Sequence, residues 1–206
     1  MSVLPRRTLS LGIYVFDEVE VLDFAGPFEV FSTASRVAGR LEPGAPLPFA
    51  VTLIADQPRA VRARGGLDVL CSASFAEHPP LDVLIVPGGE VTRELERPDV
   101  AAWLARTATT TLITASVCTG AFLLARAGLL DGHRVTTHWE DLDDLRRAFP
   151  ALRVEDGAQW IDEGPIVTSA GISAGLDMSL HLVSRLAGEV LAERTARQMD
   201  YAWRRA

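Results

Sequence analysis

Residues 110–117, Thr-Thr-Leu-Ile-Thr-Ala-Ser-Val, form a β-branched and apolar run, and a second apolar run, residues 119–128, follows across one residue, Cys118. A strand this apolar is covered on both faces, and the run after it reads as a buried helix. The joint is therefore a strand–turn–helix unit, the building block of an α/β sheet. It places the Cys118 thiol at a helix N-terminus, where the positive end of the helix and unpaired N–H groups favour a thiolate. The same tight turn exposes the nucleophile in the elbow of hydrolase folds. A free cysteine is also commonly a small buried hydrophobe, and the local pattern leaves both readings open.

The rest of the chain repeats this alternation. Residues 9–16 and 49–55 read as strands. Gly26-Pro27 predicts a helix running to about Ala38, with Pro27 at its first position. Arg64-Gly65-Gly66-Leu67 reads as a turn between short strands that end near Phe75. Residues 82–86 form another strand buried on both faces and run into Pro87-Gly88-Gly89-Glu90. A helix over 93–106, a strand over 133–137 and an amphipathic helix over 140–149 follow. Residues 153–169 read as a hairpin around Glu163-Gly164-Pro165, and helices are expected over 173–186 and 189 to about 203. The pattern predicts a flavodoxin-like, doubly wound α/β fold: a mostly parallel sheet, helices on both faces and a small β-hairpin, in one domain over 1–206.

Composition narrows the partners. A net charge of −7 over 206 residues argues against the basic face that nucleic acids require. The two cysteines, Cys71 and Cys118, make no disulfide framework. Arg6 and Arg7 precede the apolar run at 9–16, but Asp17-Glu18 interrupts it, so it reads as a strand and not as a signal peptide. No apolar stretch approaches the roughly 18 residues of a membrane span. The expectation is a cytoplasmic protein with neither membrane nor nucleic acid as partner.

In open α/β sheets ligands bind beyond the carboxyl ends of the strands. The Cys118 turn, the Gly88-Gly89 turn and the Asp23 loop all lie there. A cysteine nucleophile needs an acid or base and donors for developing charge. Asp23, flanked by apolar residues, is expected to have a raised pKa and to exchange a proton near neutral pH; the alternative is a carboxylate that satisfies a helix start. Glu18 and Glu20 read as solvated. Gly88 and Gly89 offer N–H groups for an oxyanion site or simply a turn. Thr119 offers a hydrogen bond to the substrate or to the thiolate. His138, beside Trp139, lines the crevice or packs at its edge. His78 and His133 read as surface and turn residues, His181 as structural and Cys71 as packing. Phe24, Phe28, Trp139 and Trp160 are candidate pocket walls or core residues. No acid, histidine and cysteine spacing suits a metal, no phosphate-cradling glycine motif occurs, and no cofactor is expected.

Together the residues resemble the ThiJ/PfpI superfamily, with its class I glutamine-amidotransferase-like fold. The resemblance rests on Leu22-Asp23-Phe24-Ala25-Gly26-Pro27, Val86-Pro87-Gly88-Gly89, Ser116-Val117-Cys118-Thr119-Gly120, Ala127-Gly128-Leu129-Leu130-Asp131-Gly132, Thr136-Thr137-His138-Trp139 and Gly171-Ile172-Ser173-Ala174-Gly175-Leu176-Asp177. Within the superfamily the likeness is strongest to the isonitrile hydratases. It implies that Cys118 attacks an isocyanide carbon to give a thioimidate. Asp23 manages the proton or the water, Thr119 and the backbone near Gly89 orient the intermediate, and an N-substituted formamide leaves. It also implies a small-molecule substrate and a homodimer. Thr119 stands where many peptidase- and deglycase-like members carry histidine, and Asp23 where they carry glutamate. The same Cys-Thr pattern occurs in the amino-terminal domain of AraC-type regulators, whose helix-turn-helix appendage is not expected in a chain ending at Ala206. A glyoxalase, deglycase or amidase activity, or a redox or ligand sensor, are the alternatives.

Overall fold

The computed structural model describes residues 7–71 and 73–205; Arg6 and Ala206 lie outside the described residues. The chain begins with β1 (Leu9–Tyr14), α1 (Val21–Leu41), β2 (Phe49–Ala55), β3 (Arg59–Arg62), β4 (Asp68–Cys71) and β5 (Ala73–Ser74). It continues through β6 (Val83–Val86), α2 (Thr92–Leu95), α3 (Pro98–Ala108), β7 (Ile113–Val117) and α4 (Gly120–Arg126). The last third holds β8 (Arg134–Val135), α5 (Leu142–Ala148), β9 (Arg153–Val154), β10 (Trp160–Asp162), β11 (Ile166–Ser169), α6 (Ala174–Ala187) and α7 (Glu189–Gln198).

Seven strands make one sheet in the order β10-β11-β7-β6-β1-β2-β5, parallel except that edge strand β10 runs antiparallel to β11. Every residue of β6 and β7 is buried, which explains their unbroken apolar and small character. Helices α1, α6 and α7 pack together as one layer, and α2, α3 and α4 as another. Strand β1 has β2 on one side and β6 on the other, so the winding reverses between β1 and β6. That reversal opens a crevice at the carboxyl ends of the strands.

Several local expectations change. Helix α1 begins at Val21 rather than Gly26, and Pro27 lies inside it. Proline at that place cannot donate to the Asp23 carbonyl, and an interior proline disfavours a helix by about 3 kcal/mol. The buried stripe Asp23, Phe24, Pro27, Val30, Phe31 and Ala34 outweighs it. The helix expected over 93–106 is two, because Arg97 is extended before Pro98 and α3 restarts there. Of the strand expected over 133–137, only Arg134–Val135 pairs, and it pairs in parallel with β9. The hairpin is confined to β10 and β11, closed by Glu163 N–H donating to Ile166 O at 2.9 Å. The helix expected to reach about 203 stops at Gln198, just before Asp200 turns left-handed at φ 51°. Among the described residues no helix is long and apolar enough to cross a membrane.

The end of β6 and the start of α4 meet without a side chain between them. A Cβ on Gly120 would overlap the Val86 carbonyl oxygen, whereas Gly128, at φ 72°, has nothing within 4 Å of that position. Gly120→Ala is therefore expected to destabilise the fold by about 3 kcal/mol or more, as overpacking against rigid backbone does. Gly128→Ala should lose only about 1 kcal/mol, for the left-handed conformation alone. Chemical denaturation of the two variants side by side checks this order.

Candidate active site

Cys118 joins β7 to α4 in a left-handed conformation, φ 57°. That conformation is unfavourable by about 1–2 kcal/mol for a residue with a side chain. The surroundings hold it there. Cys118 N–H donates to the Ser169 and Ala170 carbonyls at 3.2 and 3.3 Å. The Thr137 hydroxyl donates to the Cys118 carbonyl at 2.8 Å. A second left-handed residue stands in the site wall, Ile172 at φ 49°, which is unusual for a β-branched side chain; Glu18, at φ 66°, lies behind the wall and accepts the Glu90 N–H on its carbonyl at 3.0 Å.

Asp23 lies in the first turn of α1 and is fully buried. Its Oδ2 accepts the Gly88 N–H at 3.1 Å. Its Oδ1 has no hydrogen-bond partner among the described residues. Burial pushes this carboxyl up to about 7; Glu20 adds to the rise, while the Gly88 amide, the Cys118 thiol and the Ile172 amide oppose it. Burial also pushes the Cys118 thiol up to about 12, helped by the charges of Asp23 and Asp141 and opposed by the Thr119 and Ile172 amides. The expected helix-end thiolate is thus corrected. Helix α4 has seven residues, and its positive end does not overcome desolvation plus an adjacent carboxylate. At rest the proton sits on sulfur, and Asp23, near its midpoint at neutral pH, stands beside it as acceptor.

Thr119 and the two glycines also differ from expectation. The Thr119 hydroxyl donates to the Gly89 carbonyl at 3.0 Å and accepts the Gly89 N–H at 2.9 Å. With Gly88 N–H on Asp23, neither glycine amide is free to bind an oxyanion. Gly88 holds the carboxylate and Gly89 locks the elbow. The amides that face sulfur are those of Thr119 and Ile172, and the Ile172 amide faces the Asp23 carboxyl as well.

A cavity of about 250 Å³ opens over the sulfur, lined by Cys118, Thr119, Gly89, Ile172, His138 and Asp141, with Glu20, Arg64, Glu90 and Glu140 at its sides. His138 reaches it because Gly171 has no side chain; a Cβ there would overlap the His138 ring. The ring Nδ1 lies 3.3 Å from Asp141 Oδ2. Phe24, Phe28, Trp139 and Trp160 do not line this cavity. Phe24 is in the core, Phe28 is on the surface, Trp160 lies against His181, and Trp139 borders a neighbouring pocket. His78 accepts from Trp103 Nε1 at 3.1 Å, His181 pairs with Asp162 at 2.6 Å, and Cys71 is buried in β4; all stand outside the site. His133 sits 3.7 Å from Glu163, also outside it. Among the described residues no group of His, Cys, Asp and Glu could hold a metal ion. Glu20 is no merely solvated acid, since it is half-buried and its charge reaches Asp23. Sequence reasoning missed Thr137, Asp141 and Ile172 as site residues. Ile172 lay within a noted motif, but its role depends on a backbone angle that composition does not announce.

A sequence profile of the DJ-1/PfpI family matches residues 10–185. The chain is 32% identical over 195 residues to the isonitrile hydratase of Pseudomonas putida, covering 94% of this chain and 79% of that protein. It is 33% identical over 197 residues to the HTH-type transcriptional regulator GbdR of Pseudomonas aeruginosa, covering 95% of this chain and about half, 52%, of the regulator. Among solved structures, a ThiJ/PfpI family protein from Pseudomonas syringae superposes with a TM-score of 0.83 at 26% identity, over 97% of this chain and 78% of that one.

The buried carboxyl has a consequence for stability. An aspartate titrates near 3.9 when unfolded, and Asp23 is pushed up to about 7 in the fold. The folded state holds its proton more tightly, so the stability Asp23 permits when protonated is lost as pH rises from about 4 to about 7. Asp23→Asn keeps an acceptor for Gly88 N–H and carries no charge. Between pH 5 and pH 8 the wild type should lose roughly 2–4 kcal/mol relative to this variant. Urea unfolding of both proteins at the two pH values measures it.

Proposed function

The chain belongs to the DJ-1/PfpI family, and we propose that it is a cysteine-dependent hydratase that adds water to an isocyanide to give an N-substituted formamide. The observation that carries this reading is the pairing of a protonated Cys118 with a buried Asp23 whose Oδ1 is unpartnered. Adding H–S across a terminal isocyanide carbon requires a proton to leave sulfur and arrive at that same carbon. One carboxylate beside the thiol can do both.

In this mechanism Asp23 takes the Sγ proton while sulfur bonds to the isocyanide carbon, then returns the proton to that carbon. The product is a thioimidate. Water adds to the same carbon, the carbon–sulfur bond breaks, and sulfur leaves with the electron pair. One proton of the water ends on nitrogen and the other returns to sulfur through Asp23. Nothing is oxidised or reduced, so the chemistry balances without a cofactor. The Thr119 and Ile172 amides hold the negative sulfur, and the Thr119 hydroxyl positions the elbow through Gly89. His138 and Asp141 bound the cavity where the isocyanide substituent lies.

The relation to GbdR favours ligand sensing as a second reading, in which the cavity binds without turnover. Oxidation sensing is weaker, because thiolate character and exposure make a cysteine susceptible, and Cys118 is buried with its thiol raised.

Purified protein is mixed with cyclohexyl isocyanide and the formamide is followed. Turnover should vanish in Cys118→Ala. It should fall by about 10²–10⁴ in Asp23→Asn, the usual range for a general acid–base, and rise with pH through about 7 as Asp23 ionises. Formamide production that survives Cys118→Ala would overturn the mechanism. Saturable binding without product would favour the sensor.

A further inference from the structure

The cavity over Cys118 is lined by four carboxylates, Glu20, Glu90, Glu140 and Asp141, against one guanidinium, Arg64, and one imidazole, His138. Arg64 stands 3.6 Å from Glu20 and offsets it. His138 stands 3.3 Å from Asp141 and 3.8 Å from Glu140. Among the described residues neither Glu90 nor Glu140 has a guanidinium at ion-pair distance. The carboxylates do not converge on a point that could hold a metal. Their field nevertheless reaches the floor, since Glu20 acts on Asp23 and Asp141 acts on Cys118. The buried Asp23, whose Oδ1 has no partner among the described residues, adds a further carboxyl that acts on Cys118.

A cleft lined by one sign of charge with low-dielectric walls focuses its field and enriches or excludes charged molecules. We propose that this acidic rim makes the pocket selective for neutral or cationic small electrophiles against anionic ones, with Glu90 and Glu140 as the specificity-determining residues. The inference deepens the hydratase reading, because it concerns the charge on the substituent that an isocyanide carries into the same site. Methyl isocyanoacetate should therefore be turned over with a higher kcat/KM than isocyanoacetate, which differs in its carboxylate charge.

The test also has a readout that does not depend on turnover. Cys118 is labelled with a methanethiosulfonate bearing a trimethylammonioethyl group and with its sulfonatoethyl counterpart. Sulfur attacks the sulfenyl sulfur, a disulfide forms, and methanesulfinate leaves with the bonding pair. Intact-mass kinetics, with Cys118→Ala as blank and 2-mercaptoethanol as the intrinsic reference, give the cation-to-anion rate ratio. The ratio is expected to exceed the reference by about tenfold at low ionic strength. It should shrink at about 0.5 M salt and in the Glu90→Gln, Glu140→Gln double variant. A ratio at or below the reference, or one that the double variant leaves unchanged, overturns the proposal. If the ratio holds while no isocyanide is hydrated, only the hydratase reading fails. Turnover without any charge preference sinks this inference and spares that reading.

Discussion

No side chain separates the end of β6 from the start of α4: Gly120 lies against the Val86 carbonyl, and Gly88 against Thr119. A Cβ on Gly88 would stand 2.5 Å from Thr119 Oγ1 and 3.0 Å from Asp23 Oδ2, so three distant segments share a gap that holds only hydrogen. Every other feature of the site depends on that closeness. It lets Thr119 bond both the N–H and the carbonyl of Gly89, and lets the Gly88 amide reach Asp23. Gly89, at φ 133°, then bridges back to Val19, which ties the loop after β1 to the loop after β6. The Cys118 elbow is thus rigid because it is the place where three loops are stitched by backbone.

Burial sets the chemistry. A carboxyl buried in the first turn of α1 and a thiol buried beside it both favour their protonated forms, and the charge of Asp23 opposes a charge on sulfur. In an open cleft the same two residues would settle into an ordinary carboxylate and thiol with little to exchange. The helix end, so prominent as a reason to expect a thiolate, is a small effect here. Its influence falls off within one turn, and it acts on a residue that is largely buried.

Much of the fold was legible because β6 and β7 are uniformly apolar and small, and such strands fit only a sheet covered on both faces. The burial of Cys118 and Asp23 side by side was legible for a related reason: each is an ionisable group at a carboxyl end, set among residues that bury it. What escaped depended on packing rather than pattern. Pro27 carried a strong local signal for a helix start, and the buried stripe of α1 overrode it. Thr136 and Thr137 carried strand propensity but spend their hydrogen bonds on Thr168 and on Cys118. The glycine amides stayed open between an oxyanion site and a plain turn because sequence shows which groups exist and not which of them are already taken. The aromatic residues offered as pocket walls failed likewise, since the cavity is lined by polar chains and backbone.

In the proposed mechanism the opposition between Asp23 and Cys118 also explains how a thiol this hard to ionise can act. The charge of Asp23 disfavours the thiolate at rest, and the Thr119 and Ile172 amides favour it without prevailing. Once the proton moves from sulfur to Asp23, the opposing charge is gone. The two amides then act on a bare thiolate in a water-poor setting, where hydrogen bonds to charge are strongest. Their stabilisation is realised along the reaction rather than before it, the only kind that lowers a barrier. It requires Ile172 to direct its N–H at sulfur, which accounts for a β-branched residue persisting at φ 49° beside a glycine that yields its space to His138. In the proposed mechanism the strained backbone and the buried acid are two parts of one device: the acid keeps the nucleophile protonated until a proton acceptor is needed, and the amides receive the charge that the transfer creates.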